Sequence, residues 1–151
     1  MIRLLLVDDH KMMRQALHMA LMEEPDIEIV GEADDGATAI RQSSILLPTV
    51  IIMDVAMPGI DGIEATRRIV FEHPGIRVLA FSMDDDPCSV ARMLAAGAAG
   101  FVAKGCECDD LLLGIRTVAA GNPYFCREMA GTPAPLDMRS HSGLRIHPNV
   151  C

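Results

Sequence analysis

The sequence predicts an α/β fold: a doubly wound, five-stranded parallel sheet with five helices. Three observations predict it. Short apolar runs alternate with amphipathic stretches through the first 120 residues, giving five strand–helix units, and such alternation implies a parallel sheet covered by helices on both faces. The run Val50-Ile51-Ile52-Met53 is unbroken and apolar, which suits a strand buried on both faces. Finally, Asp8, Asp9, Asp54, Ser82 and Lys104 each follow an apolar run. Right-handed crossovers bring the carboxyl ends of all such strands to one edge, where ligands bind in open α/β sheets.

Ile2 to Val7 forms the first strand, bounded by Asp8-Asp9-His10. Residues 11–23 place Met13, Ala16, Leu17, Ala20 and Leu21 on one helical face, and Pro25-Asp26 ends that helix. Ile27 to Val30 is the second strand. Asp35 is the expected cap of a helix over 36–47, stopped by Leu47-Pro48. The strand Val50–Met53 delivers Asp54, and Met57-Pro58-Gly59 turns the chain at once. Asp61-Gly62 opens a helix to about Glu72, with Pro74-Gly75 as its stop. Arg77 to Phe81 is the fourth strand, with Ser82 at its end. Asp84-Asp85-Asp86-Pro87 favours a helix N-terminus, because carboxylates complement the dipole and proline suits the first turn. That helix runs to about Ala96. Phe101-Val102-Ala103 is a fifth strand ending at Lys104. Asp109 to Ala120 is an amphipathic helix, in which Gly114 costs about 1 kcal/mol of propensity.

The chain of 151 residues is 50% hydrophobic and 23% charged, enough for a proper core. With no Trp, one Tyr and four Phe against 11 Met, that core is aliphatic. The net charge of −8 argues against binding nucleic acid through phosphate contacts. No apolar run approaches the ~20 residues of a membrane span, and the N-terminus lacks a signal-peptide layout. A cytoplasmic location is expected. The five cysteines, at 88, 106, 108, 126 and 151, are odd in number, and Cys106-x-Cys108 lacks a second pair at zinc spacing. Free thiols are expected.

Taken singly, Asp54 reads as a turn cap, Asp8-Asp9 as a loop acid pair and Lys104 as a surface lysine. At matching strand ends they make a different object: three carboxylates, a hydroxyl and an ammonium at one edge. Carboxylates at close range repel, and their hard oxygens favour Mg²⁺ as the remedy. Such an edge can receive a phosphoryl group, with a free oxygen of Asp54 attacking phosphorus. The rival chemistry, two-metal phosphoester hydrolysis, needs more carboxylate or His ligands than the sequence offers.

Val7-Asp8-Asp9-His10, Met53-Asp54-Val55-Ala56-Met57-Pro58-Gly59-Ile60-Asp61-Gly62, Ser82 and Ala96-Gly97-Ala98-Ala99-Gly100-Phe101-Val102-Ala103-Lys104-Gly105 resemble the receiver domains of two-component response regulators. The Asp-Asp-His opening, the Gly-Ala-Ala-Gly-Phe run and Ala119-Ala120-Gly121-Asn122-Pro123-Tyr124-Phe125 are similar to the NarL/FixJ (LuxR-type) branch. The resemblance covers about residues 1–125 and implies the flavodoxin-like receiver fold. It implies that Asp54 is the phospho-acceptor for a histidine kinase or phosphotransfer protein. It implies Mg²⁺ held by Asp9, Asp54 and the backbone carbonyl of Ala56, with Asp8 acting through water. Lys104 then pairs with the phosphoryl group, Ser82 is the switch hydroxyl and Phe101 the switch aromatic. His10 is expected to be a helix-start residue rather than a ligand. Ala56 and Asp84 are expected to border the water that removes the phosphoryl group, unless Asp84 only caps the helix near Pro87.

The receiver domain is expected over 1–121 and a tail, disordered or loosely packed, over 122–151. That tail holds Pro133, Pro135 and Pro148 and no helix-turn-helix pattern, whereas a NarL-type regulator continues into a DNA-binding domain. A truncated or frameshifted gene, or an added tag, would leave such a tail. The expected function is a phosphorylation-dependent signalling switch, not an enzyme with an external substrate, that assists its own phosphorylation and dephosphorylation. It is either the regulatory part of a transcriptional regulator or a stand-alone receiver acting by protein contact or as a phosphate sink. The alternative of another class is a small Mg²⁺-dependent phosphatase. A homodimer through exposed helix faces is a further expectation. Met12, Met19 and Met22 on the first helix leave room for an apolar patch there; the alternative, and the preferred expectation, is that Met19 and Met22 pack into the core.

Overall fold

The computed structural model describes residues 1–83 and 86–126. The elements run β1 (Ile2–Val7), α1 (Lys11–Leu21), β2 (Ile27–Ala33), α2 (Gly36–Leu46), β3 (Val50–Met53), α3 (Gly62–Glu72), β4 (Arg77–Ser82), α4 (Pro87–Ala95), β5 (Gly100–Ala103), α5 (Cys108–Ala119) and β6 (Tyr124–Phe125). The strands form one parallel sheet in the order β2-β1-β3-β4-β5-β6. This is the flavodoxin-like doubly wound arrangement, in which the winding reverses between β1 and β3.

Successive side chains of a strand face opposite sides of the sheet, and here both sides are covered. Leu5, Val7, Ile51, Met53, Val78, Ala80 and Phe101 face one layer, which also buries Ala39, Ala65, Ile69, Val90 and Met93 from α2, α3 and α4. Leu4, Leu6, Val50, Ile52, Leu79, Phe81 and Val102 face the other, with Leu17 and Leu21 of α1 and Leu111, Leu112, Ile115 and Val118 of α5. The continuous apolar runs of the central strands follow from this double burial. Helix starts are set by side-chain caps: Asp35 accepts from the Thr38 amide, Asp61 from Glu64 and Asp86 from Cys88, the last with Pro87 in the first turn. Each such cap is worth about 1 kcal/mol.

The structure departs from expectation in four places. The five expected strands form the body of the sheet, and a short sixth, β6, adds to its edge beyond position 121. Gly100 pairs with Tyr124 and Phe101 with Phe125, and Cys126 is buried. Residues 127–151 of the expected tail lie outside the described residues. Packing of β6 also explains Gly114, because a Cβ there would meet the Tyr124 ring at 2.9 Å. Second, Cys106 and Cys126 are joined as a disulfide rather than free and Cys88 is disulfide-bonded as well, while Cys108 is free and exposed. Third, Met19 and Met22 are 75% and 73% exposed, not in the core, and Met12 is 82% exposed. At 100° per residue they point about 200° and about 140° away from the buried Leu17. Fourth, Ala16 is exposed, because α1 meets the sheet along the narrower Met13–Leu17–Leu21 stripe.

Candidate functional site

β1 and β3 are neighbours, with Val7 opposite Met53, so the residues following them leave the sheet side by side. The Asp54 amide donates to the Val7 carbonyl (2.9 Å) and the Asp8 amide to the Ala33 carbonyl (3.1 Å). Both carboxylates are buried. Oxygens of Asp8, Asp9 and Asp54 and a ring nitrogen of His10 lie within 4.8 Å of one another. β5 brings in Lys104, whose amide donates to the Ser82 carbonyl at 2.9 Å. Its Nζ donates to Asp8 Oδ2 at 2.7 Å and stands 3.5 Å from Asp54 Oδ1. With its side chain 4% exposed and its ammonium 5.8 Å from the centre of the Phe81 ring, Lys104 is no surface lysine.

The charges are unevenly balanced. Burial opposes ionisation of Asp8, yet the hydrogen bond from Lys104, the His10 amide and the lysine's charge outweigh it and hold this carboxyl below its ordinary range. Burial, and then the charge of Asp8, push Asp54 up to about 7 against the pull of Lys104. One ammonium is therefore shared between Asp8 and Asp54 and serves mainly Asp8. Asp9 Oδ1 lies 3.0 Å from His10 Nδ1 but is buried without a hydrogen-bond partner. An orphaned carboxylate oxygen beside a second, reluctantly ionised carboxylate fits a divalent cation, and all-oxygen ligands suit a hard one.

The loop after Asp54 is shaped by two glycines. Gly59 has φ +76°, which favours glycine. A Cβ on Gly62 would stand 1.9 Å from the Asp54 carbonyl oxygen, so only glycine lets α3 start this close to the end of β3. Ala56 lies exposed in this loop. Ser82 is buried at the end of β4, and Phe101 is fully buried in β5. His10 is the N-cap of α1 but makes no side-chain cap bond. Its amide donates instead to Asp8 Oδ1 (2.8 Å). Asp84 lies outside the described residues. One site residue escapes sequence reasoning: Arg14 Nη1 donates to the Asp8 carbonyl (2.5 Å) and its Nε to Glu32 (3.2 Å). An arginine on an otherwise ordinary helix gives no sign of that reach.

A family model for the response regulator receiver domain matches residues 4–116. Response regulator GacA of Pseudomonas viridiflava is 39% identical over 130 residues, 86% of this chain and 61% of GacA. Transcriptional regulatory protein LiaR of Bacillus subtilis is 40% identical over 151 residues, 99% of this chain and 70% of LiaR. A LuxR-family two-component response regulator from Aurantimonas superposes with a TM-score of 0.82 at 32% identity, covering 85% of this chain and 92% of that one. The signal receiver domain of NarL from Mycobacterium tuberculosis superposes with a TM-score of 0.76 at 34% identity, covering 80% and 98%. The chain thus spans 61% of the length of the GacA relative that it matches.

Proposed function

The chain belongs to the response regulator receiver family, and from that premise we propose that it is a signalling switch whose phospho-acceptor is Asp54. The observation that carries the proposal is the shared lysine: Lys104 lies between Asp8 and Asp54, within reach of both. Asp54 Oδ attacks the phosphorus of a phosphohistidine on a histidine kinase or phosphotransfer protein. The P–N bond breaks, the imidazole leaves and takes up a proton, and an acyl phosphate forms. Lys104 then pairs with a phosphoryl oxygen. Ser82 donates its hydroxyl to another, and Phe101 repacks behind it in β5. Asp9, Asp54 and the Ala56 carbonyl would hold Mg²⁺, with Asp8 adding negative charge beside them. When bound, Mg²⁺ supplies neutralisation of the phosphoryl oxygens.

The same residues assist loss of the phosphoryl group to water, so the switch resets itself. As in the relatives called transcriptional regulators, the output is control of transcription, exerted with a DNA-binding part or partner. No described helix is long and apolar enough to cross a membrane, and we place the protein in the cytoplasm with its kinase. The test separates this reading from a small Mg²⁺-dependent phosphatase. Incubation with a phosphorylated histidine kinase should leave one hydroxylamine-sensitive phosphate on the chain, lost on Asp54→Ala. Steady turnover of added phosphate esters without such a product would overturn the proposal.

A further inference from the structure

Cys106 lies two residues beyond Lys104, and its partner Cys126 lies one residue beyond β6. The loop between Lys104 and α5 is held by the bonds of the Lys104 amide to the Ser82 carbonyl (2.9 Å) and of the Cys106 amide to the Ala103 carbonyl (3.0 Å), and is otherwise open. Gly105 would have nothing within 4 Å of a Cβ, and Glu107 at the start of α5 makes no side-chain cap bond. β6 is an edge strand of two residues. Its end is tied to β5 where the Cys126 amide donates to the carbonyl of Phe101 (3.1 Å). The Cys106–Cys126 bond, closing a sequence separation of 20, is thus the one covalent tie between the loop carrying Lys104 and the strand edge beside Phe101 among the described residues.

We infer that Cys106 and Cys126 form a thiol–disulfide latch that sets how firmly Lys104 is held against Asp8 and Asp54. The latch therefore sets how fast Asp54 takes up a phosphoryl group. The inference rests on the phospho-acceptor reading above. In a reducing compartment a disulfide of this kind is a sensing device rather than a permanent staple. Closure needs a low-molecular-weight disulfide such as oxidised glutathione. The Cys106 thiolate, half-buried and the more accessible of the two, attacks one glutathione sulfur and releases a glutathione thiolate. The Cys126 thiolate then attacks Cys106 of the mixed disulfide and releases the second. Two protein thiols lose two electrons and two protons, and one oxidised glutathione becomes two reduced. A thiol reductant reverses both steps. With the latch closed, Lys104 lies on Asp8 and Asp54 as described; with it open, the loop and the β6 end separate.

The experiment compares the full chain after equilibration with oxidised glutathione and with dithiothreitol. Peptide mapping checks for the Cys106–Cys126 linkage. Amide hydrogen exchange at 104–107 reads the loop, and labelling by acetyl phosphate with Mg²⁺ reads the site. The oxidised chain should carry the linkage, melt on the order of 10 °C higher, exchange more slowly at 104–107 and label several-fold faster. Cys106→Ser and Cys126→Ser should show the same labelling rate and the same exchange at 104–107 with either reagent, whatever the separate Cys88 disulfide does, and Cys108→Ser should behave as the wild type. Absence of the linkage under oxidised glutathione would overturn the inference, as would equal exchange or equal labelling in the two states. Stoichiometric zinc on Cys106, Asp110 and Cys126 in the purified protein would overturn it too, since those ligand atoms lie within 4.8 Å of one another. No labelling in either state, with exchange still different, would instead sink the phospho-acceptor reading.

Discussion

Lys104 is bonded to Asp8, at 2.7 Å, and only near Asp54, at 3.5 Å. Asp8 is 2% exposed, so it depends on that lysine for its charge. Lys104→Met should therefore cost about 3 kcal/mol of stability, because it strands a buried carboxylate. The double variant Lys104→Met, Asp8→Asn should regain most of the loss. Urea unfolding of the set checks this. A single variant as stable as the wild type would mean that the pair contributes nothing.

The raised Asp54 carboxyl has the opposite consequence for stability. The folded state keeps its proton up to about 7, whereas the unfolded chain loses it near 3.8. The unfolded state thus binds fewer protons over this window, and the group's contribution falls as pH rises from about 4 to about 7. Asp54→Asn should match the wild type near pH 4 and exceed it by about 2–4 kcal/mol at pH 8. Mg²⁺ should narrow the gap at pH 8 and leave it unchanged at pH 4. Thermal melts of both proteins across this range make the comparison, and a constant difference would contradict the electrostatic account.

Asp9 should show function without stability. Its Oδ1 has no hydrogen-bond partner and its charge helps to raise Asp54, so Asp9→Asn should not lower stability and should raise it by about 0.5 kcal/mol. It should weaken Mg²⁺ binding measured by calorimetry and block labelling by acetyl phosphate. A variant that labels at the wild-type rate would remove Asp9 from the metal site.

The exposed methionines of α1 bear on association. Met12 and Met19 are seven residues apart, on the same side of the helix, and Met22 continues the stripe. If α1 is a dimer face, beryllofluoride should change the mass seen by light scattering. Met19→Glu should then weaken the dimer with little change in melting temperature. A strict monomer with and without beryllofluoride would remove the dimer.

The fold was legible because its signals are local. Val50–Met53 reads as a doubly buried strand without knowledge of its neighbours, and Asp35, Asp61 and Asp86 with Pro87 mark their helix starts in the sequence. The meeting of Asp8, Asp9, Asp54 and Lys104 followed from strand ends and crossover handedness. Tyr124–Phe125 was not legible as a strand, because two residues carry no period. The Cys106–Cys126 pairing depends on β6 lying beside β5 and was lost with it. The exposure of Met19 and Met22 depends on which stripe of α1 meets the sheet, and methionine is apolar enough to suggest either. The orphaned oxygen of Asp9 and the reach of Arg14 to the Asp8 carbonyl are matters of side-chain placement that no spacing reports.

The central claim is that Asp54 accepts a phosphoryl group at a metal-assisted carboxylate edge. Intact-protein mass spectrometry after incubation with acetyl phosphate tests it most directly, in Mg²⁺ and in EDTA, on the wild type and on Asp54→Ala. The account predicts the mass of one added phosphoryl group on the wild type in Mg²⁺, removed by hydroxylamine, and none in EDTA or on the variant. An equal addition to Asp54→Ala, or one indifferent to EDTA, would contradict it.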